Sequence, residues 1–401
     1  MNEVKIETIT DFPFKIDIVE CPLMTEDKIY RHWIESKIPF DENLSLSELF
    51  KNYVQLLRYF PSNYLNDKDF ILNAVNENGL ALQFASQALK NDQDVVLCAV
   101  KQNVSAFQYA SDELKRNKQF ILANISQNRD ILQYASEVLK RDQKFVIYAI
   151  NRNPLILLNV PELRNDRTFV LSAIKENVLA LKYALDDLKK DRAFVIAAIK
   201  EDGFALEHVS AELKKDHEIV LFAVKCSNGY AMKFASDDLK KDRDFVLSAV
   251  NLNGSVLQYT SEELKKDREI VLLATELNSS VLQYASEILR KDREFVLAAI
   301  KKNGSALQYA SEELRKDQTF VLAAIKLNGS ALQYASKELR QNRAFTLAAV
   351  KENVSAMKYA SEELKNDRTF ILATVKLNIS ALQYASGEQK RDPEIILAAK
   401  H

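Results

Sequence analysis

A 25-residue unit built around Leu-Gln-Tyr-Ala-Ser recurs along nearly the whole chain, and this period constrains the fold more than any other feature. The units begin at Leu57, Leu82, Phe107, Leu132, Leu157, Leu181, Leu206, Met232, Leu257, Leu282, Leu307, Leu332, Met357 and Leu382. Every spacing is 25 residues except 24 before Leu181 and 26 before Met232. A fixed period of this size predicts a solenoid, in which each unit buries its apolar face only against its neighbours. The expected fold class is all-α, an α-solenoid of about fourteen repeats spanning residues 57–401.

One copy, Asn303 to Asn328 (NGSALQYASEELRKDQTFVLAAIKLN), shows why the unit is helical. The position of Asp317 holds Asp or Asn in all fourteen copies, the side chains that best accept from the free N–H groups of a helix's first turn. In the last copy Pro393 follows directly, at the first helical position, where a missing N–H costs nothing. A helix of about ten residues therefore starts here, with Phe320, Val321, Ala324 and Ile325 as its apolar stripe.

The position of Asn303 and Asn328 reads as the C-cap of that helix, the N-cap of the next, or both. By count Asn228 falls in this column. Ser305 to Gln308 offers a capping box as the alternative. Six of the seven glycines follow the Asn column and mark a tight turn, while Val104, Val178, Val354 and Ile379 at the same place argue against a left-handed backbone. Pro61 and Pro161 stand in the column of Ser311, so the first helix stops near Ala310 and Ser-Glu-Glu-Leu begins a separate turn. The unit reads as short helix, turn, longer helix.

Residues 1–56 do not repeat. Phe14, Ile16 and Ile18 alternate with polar residues as in a half-buried strand, with Val4 to Thr10 as hairpin partner. Thr25 to Lys37 and Ser45 to Phe60 read as helices. The segment is expected to be a small α+β cap, or else a small binding module. At the other end Gln389 replaces the Leu of the Leu314 column, a polar swap that suits a closing unit.

Composition bounds the chemistry. A net charge of −1 supplies no bulk attraction to nucleic acid or anionic lipid. The three cysteines, Cys21, Cys98 and Cys226, are scattered, which points to a reducing compartment and a cytoplasmic protein. No apolar run reaches the roughly 18 residues of a membrane span, and no signal peptide is recognisable. The four histidines are too dispersed for a metal site, and no phosphate loop or nucleophile elbow occurs. No catalytic, cofactor-binding or metal-binding residue is assigned, and the chain is expected not to be an enzyme.

Two ladders and two breaks carry the functional candidates. The Tyr309 and Gln308 columns read as inter-repeat packing, as a strip that grips an extended peptide, or as a surface for stacking bases. A basic column directly follows nine of the helix caps, with Lys68, Lys118, Arg167, Arg192, Arg243, Arg268, Arg293, Arg343 and Arg368. Cations are mildly unfavourable at a helix N-terminus, so their recurrence needs a cause. Pairing with the Glu313 and Glu294 columns is one, and a track for an acidic partner is the other. The consensus fails at residues 151–163 and at 202–230, where Glu207 and His208 replace Gln-Tyr and one residue is inserted at Cys226-Ser227. The face between the breaks is the expected docking surface, with Arg167, Arg192, Glu207, His208, His217, Lys225 and Arg243 as partner-binding candidates.

Over residues 57–400 these units resemble a helical repeat family known as a domain of unknown function, found in protists, large viruses and intracellular bacteria such as legionellae. The resemblance implies helical repeats, transfers no site residues, and suggests an interaction protein, including an effector working in a host cytoplasm after secretion. The combined expectation is a non-enzymatic scaffold that binds a protein partner, with a nucleic-acid-binding repeat protein as the alternative.

Overall fold

A computed structural model describes residues 46–399 apart from 53 and 61. The strands expected near Phe14 and the helix expected at Thr25 to Lys37 lie outside the described residues, among which no strand occurs. The expected helix at Ser45 to Phe60 is two elements, an α-helix Leu46–Asn52 and a 3-10 helix Val54–Tyr59. Phe50 is buried and meets the ring of Phe70 edge-on at 5.3 Å, which ties the first of these to the first repeat.

The fold is the α-solenoid, built from three helical pieces per repeat. In the Asn303–Asn328 copy these are a 3-10 helix Gly304–Tyr309, a short α-helix Glu312–Lys316 and a ten-residue α-helix Gln318–Leu327. Each start has its own side-chain cap. The Asn303 side chain accepts from the Ser305 N–H at 3.1 Å, Ser311 Oγ from the Leu314 N–H at 3.3 Å, and Asp317 Oδ1 from the Phe320 N–H at 2.9 Å. Asn328 serves both helices. Its N–H donates to the Ala324 carbonyl at 2.9 Å, and its Oδ1 accepts from the Ser330 N–H at 3.0 Å.

The first piece differs from an ordinary α-helix in nearly every copy. It is a short run of i→i+3 turns, the form in which 3-10 structure commonly serves as a connector. Ala306 donates to the Asn303 carbonyl at 2.9 Å and Ala310 to that of Leu307 at 3.2 Å. The tight turn points Ala306, Leu307 and Ala310 inward and leaves Gln308 exposed. In the long helix Phe320, Val321, Ala324 and Ile325 are all buried, as the spacing predicts.

The chain forms two compact units, residues up to Leu185 and residues from Asp186. Within each, successive 3-10 helices pack on one another and successive long helices do the same, so the core runs between two layers. A backbone hydrogen bond also joins neighbours: the N–H of the Ser column donates to the carbonyl 21 residues earlier. Ser111 to Lys90 (2.9 Å) and Ser136 to Lys115 (3.0 Å) are examples in the first unit, and Ser311 to Arg290 and Ser336 to Arg315 (both 2.9 Å) in the second. Pro161 has no N–H to give at this position. Its copy also lacks one residue, and the short α-helix is replaced there by a 3-10 turn Pro161–Leu163.

The inserted residue in the second unit is absorbed differently. The helix His217–Cys226 ends on Ser227, whose N–H donates to the Ala223 carbonyl and whose Oγ accepts from the Ala231 N–H at 2.8 Å. Ser227, not Asn228, thus occupies the Asn column. Asn228 (φ 52°) and Gly229 (φ 90°) form a left-handed pair that takes up the extra residue. Gly254 has another role: a Cβ there would stand 2.6 Å from the carbonyl oxygen of Ala274 in the next repeat. Gln389, the polar swap of the last copy, is 7% exposed, because its place in the repeat is that of a core leucine.

Candidate functional site

Where the residue after a helix cap is basic, it pairs with the next repeat, as at Lys68, Lys118, Arg192, Arg243, Arg268, Arg293, Arg343 and Arg368. Arg243 Nε donates to Asp267 Oδ2 at 2.8 Å, and its Nη2 reaches Glu269. Arg192 pairs with Asp216 at 3.3 Å and with Glu218. Arg368 bonds Asp392 at 2.7 Å and Glu394 at 2.6 Å, and Lys68 bonds Asp92 and Asp94 at 2.8 and 2.9 Å. The partners are therefore the next repeat's helix cap and the Glu294 column, with Thr319 or Thr369 in the latter role beside Arg293 and Arg343. The Glu313 column does not take part in these pairs, because the Arg side chain reaches across to the neighbouring helix N-terminus and not to the short helix.

These charges lie over rings as well: the guanidiniums of Arg268 and Arg293 sit 5.3 and 5.1 Å from the centroids of Phe295 and Phe320. Burial alone would lift the Asp267 carboxyl, but the Arg243 guanidinium and the Ile270 N–H outweigh it and hold it below the usual carboxylate range. Asp317 is likewise depressed, chiefly by Arg293 and then by Thr319 and the Phe320 N–H. Arg243 is raised by its bonds to Asp267 and Glu269. Each contact is individually weak at the surface. Together they explain the cation that follows most of the helix caps: the residue that opposes its own helix dipole binds the carboxylate of the next helix.

The Tyr and Gln ladders are placed on the outer side of the 3-10 layer. Gln258, Gln283, Gln308 and Gln333 are exposed, while Tyr259, Tyr284, Tyr309 and Tyr334 are half-buried. The Tyr334 hydroxyl lies 3.3 Å from Ser305 Oγ of the preceding repeat. The tyrosines thus belong neither to the core nor wholly to solvent.

The candidate residues do not form one cluster. Arg167 begins the helix Arg167–Glu176 in the first unit and is exposed. Arg192 and Arg243 begin long helices in the second unit and are committed to the ladder. His217 holds the ladder position in its own copy, with its ring edge-on to Phe245 at 5.0 Å. Lys225 is exposed near the other end of the same helix, His217–Cys226, about 12 Å away at 1.5 Å per residue. Glu207 and His208 close the 3-10 helix Gly203–His208, Glu207 exposed and His208 half-buried. The Glu207 carbonyl accepts from Lys214 Nζ at 2.7 Å.

Around Glu207 lies a feature that charge-based reading passes over. In the column of Ser305, two successive copies of the second unit carry Phe204 and Tyr230, which are 42% and 53% exposed. Their ring centroids are 6.4 Å apart in a near-stacked arrangement. Tyr230 is 6.4 Å from Tyr259, and Phe204 is 6.4 Å from Phe234, edge-on. Lys233 Nζ covers the Phe234 ring at 5.8 Å. The signal was a break in the Ser column; its meaning required knowing that this column faces outward.

Among the described residues no group of three or more His, Cys, Asp or Glu is arranged to hold a metal, and no helix is long and apolar enough to cross a membrane. Capped short helices joined by a repeating backbone bond and a running ion-pair ladder define a helical repeat protein. The chain belongs to the family described as Domain of unknown function (DUF4116), whose model matches residues 47–90, 67–115, 92–140, 117–164, 142–189, 191–240, 242–290, 292–340 and 342–390. Each match covers about two of the 25-residue units, and the first five overlap their neighbours by about one unit. No curated protein and no solved structure matches the chain.

Proposed function

We propose that this protein is a scaffold that binds another protein on its exposed surface and carries out no chemistry of its own. The observation that supports this best is the pair Phe204 and Tyr230, two exposed rings at positions that hold Ser in most other copies. Exposed aromatic clusters are costly in water and are the side chains that anchor protein interfaces. Glu207 and His208 border the same 3-10 helix and form the polar margin of the contact. Arg192 and Arg243 act in this reading through the stack, by holding neighbouring repeats in register.

The nucleic-acid alternative needs free cations along the surface, and the ladder cations are paired with carboxylates of the next repeat. Protein capture from cell extract, followed by titration of the purified captured protein, tests the reading. Binding that falls with Phe204→Ser/Tyr230→Ser and depends weakly on salt supports it. Binding of nucleic acid with a steep salt dependence removes it. We infer further that the protein works in a cytoplasm, its own or that of a host into which it is secreted, a reading that rests on where such repeats occur. A translocation-reporter fusion that never reaches the host cell removes the effector part.

A further inference from the structure

At two places in the second unit the ion-pair ladder ends on a hydroxyl. Elsewhere the residue two places after a helix cap is often a carboxylate that pairs with the preceding repeat's cation. Asp94 does so with Lys68, Glu218 with Arg192, Glu269 with Arg243 and Glu394 with Arg368. Thr319 and Thr369 stand in that column. Arg293 Nη2 donates to Thr319 Oγ1 at 3.2 Å, and Arg343 Nη2 to Thr369 Oγ1 at 2.8 Å. Both threonines are exposed, and each hydroxyl donates to Oδ1 of its own helix cap, Asp317 or Asp367, at 2.7 Å.

A guanidinium is a planar fork suited to the oxygens of a carboxylate or a phosphate, and a hydroxyl returns it only a neutral contact. Counted from Cβ, the terminal oxygens of glutamate and of phosphothreonine lie the same number of bonds away. A phosphate on either threonine therefore brings its oxygens to the Nη2 that a Glu in this column meets. It also stands in the first turn of a ten-residue helix, Gln318–Leu327 or Arg368–Leu377, where negative charge is favourable. The neighbouring cap carboxylate is no obstacle, because Arg243 already holds Asp267 and Glu269 together. The chain before each threonine is basic, with Arg315 and Lys316 before Thr319, and Lys365 and Arg368 before Thr369. A kinase with an acidic substrate groove selects such a context.

We propose that Thr319 and Thr369 are phosphorylation sites, and that the phosphate completes the outer contact of the ladder and tightens the junction between repeats. The reaction is transfer from a nucleoside triphosphate by a Ser/Thr protein kinase. The threonine oxygen bonds to the γ-phosphorus, the bond from that phosphorus to the β-phosphate oxygen breaks, and nucleoside diphosphate leaves. The hydroxyl proton passes to the base of the kinase. This goes beyond the binding reading, since it concerns the firmness of the stack and not the surface that meets a partner.

Thr168 supplies an internal control. It has the same place in its helix and the same surrounding sequence, Asn-Asp-Arg-Thr-Phe, as Thr369. The ladder position of the repeat before it is Gln143, which carries no charge.

The test treats the full chain with ATP and a purified Ser/Thr kinase that selects basic residues upstream, and places the phosphate by mass spectrometry. Incorporation at Thr319 and Thr369 is expected, and a threonine left unmodified loses its assignment. Phosphothreonine encoded at position 319, 369 or 168 then reads the effect on the stack by amide hydrogen exchange. Exchange in the helix that carries the phosphate should slow by about threefold or more at 319 and 369 and by less at 168. Arg293→Gln should remove the gain at 319 and leave that at 369, where Arg343 is the partner. A gain at 168 equal to the others, or one at 319 that survives Arg293→Gln, means that the helix end alone responds and overturns the inference. Unchanged or faster exchange at 319 and 369 overturns it as well.

Discussion

Arg243 and Asp267 lie in neighbouring repeats, and one carboxylate serves both. Asp267 Oδ2 accepts from Arg243 Nε at 2.8 Å, while Oδ1 accepts from the N–H groups of Glu269 and Ile270 at 3.0 and 3.1 Å. The helix Arg268–Leu277 is thus capped by the atom group that binds the repeat before it. Local helix formation and inter-repeat docking are coupled through a single side chain.

Asp267→Ala should therefore lose the cap, about 1 kcal/mol, and the inter-repeat pair as well. Asp267→Asn should keep the cap and lose only the charge, since Asn342 already caps the Phe345 N–H at 2.9 Å. Urea unfolding of the two variants should place Asn clearly between wild type and Ala. Equal loss in both would separate the cap from the docking.

Acid should unfold the array through the same carboxylates. Asp267 and Asp317 are held below their ordinary values in the folded chain, so the unfolded chain binds more protons as pH falls toward the usual carboxylate pKa of about 3.9. Their contribution is complete above that value and is lost as pH drops through the depressed folded ones. The urea midpoint should be flat near neutrality and fall below about pH 4, and Asp317→Asn should flatten the fall.

Gly229→Ala should cost about 1–2 kcal/mol, because a φ of 90° is a left-handed backbone that side chains resist. Gly229 also faces Asn253, whose side-chain oxygen would be 3.1 Å from an added Cβ. Thermal melting of this variant checks the strain at the inserted residue; an unchanged melt would mean that the turn relaxes.

Leu307→Ala should destabilise by about 2–5 kcal/mol, since Leu307 is wholly buried. In a stack held by nearest-neighbour contacts the damage stays local. Hydrogen exchange should rise most in the copies on either side of Leu307 and least toward Arg192, within the same unit. A uniform rise would argue for a single cooperative core.

Much of the fold was legible because its determinants recur at one period. Asp317, Asn328 and the Phe320-Val321-Ala324-Ile325 stripe each name a cap or a buried face by residue type alone. The 3-10 form of Gly304–Tyr309 was not legible, since the same apolar residues suit a short α-helix. Asn228 misled by its identity: counting from the insertion places it in the cap column, whereas the backbone gives that place to Ser227. The ladder partners were half legible. Glu269 follows from spacing, but Asp267 had already been assigned as a cap, and a carboxylate's second role is visible only in space. For the candidate site, charge breaks pointed to Glu207 and His208. The neighbouring Phe204 and Tyr230 carry no charge break, and the outward direction of their column is visible only in space.

On the function proposed above, the ladder holds repeats together while Phe204 and Tyr230 meet the partner. The most direct test titrates one purified partner, recovered by capture, against Arg192→Gln/Arg243→Gln and Phe204→Ser/Tyr230→Ser, with melting temperatures measured alongside. The arginine variant should melt lower and bind as wild type does; the aromatic variant should melt near wild type and bind roughly tenfold or more weakly. Binding lost with the arginines and kept without the rings would contradict the account.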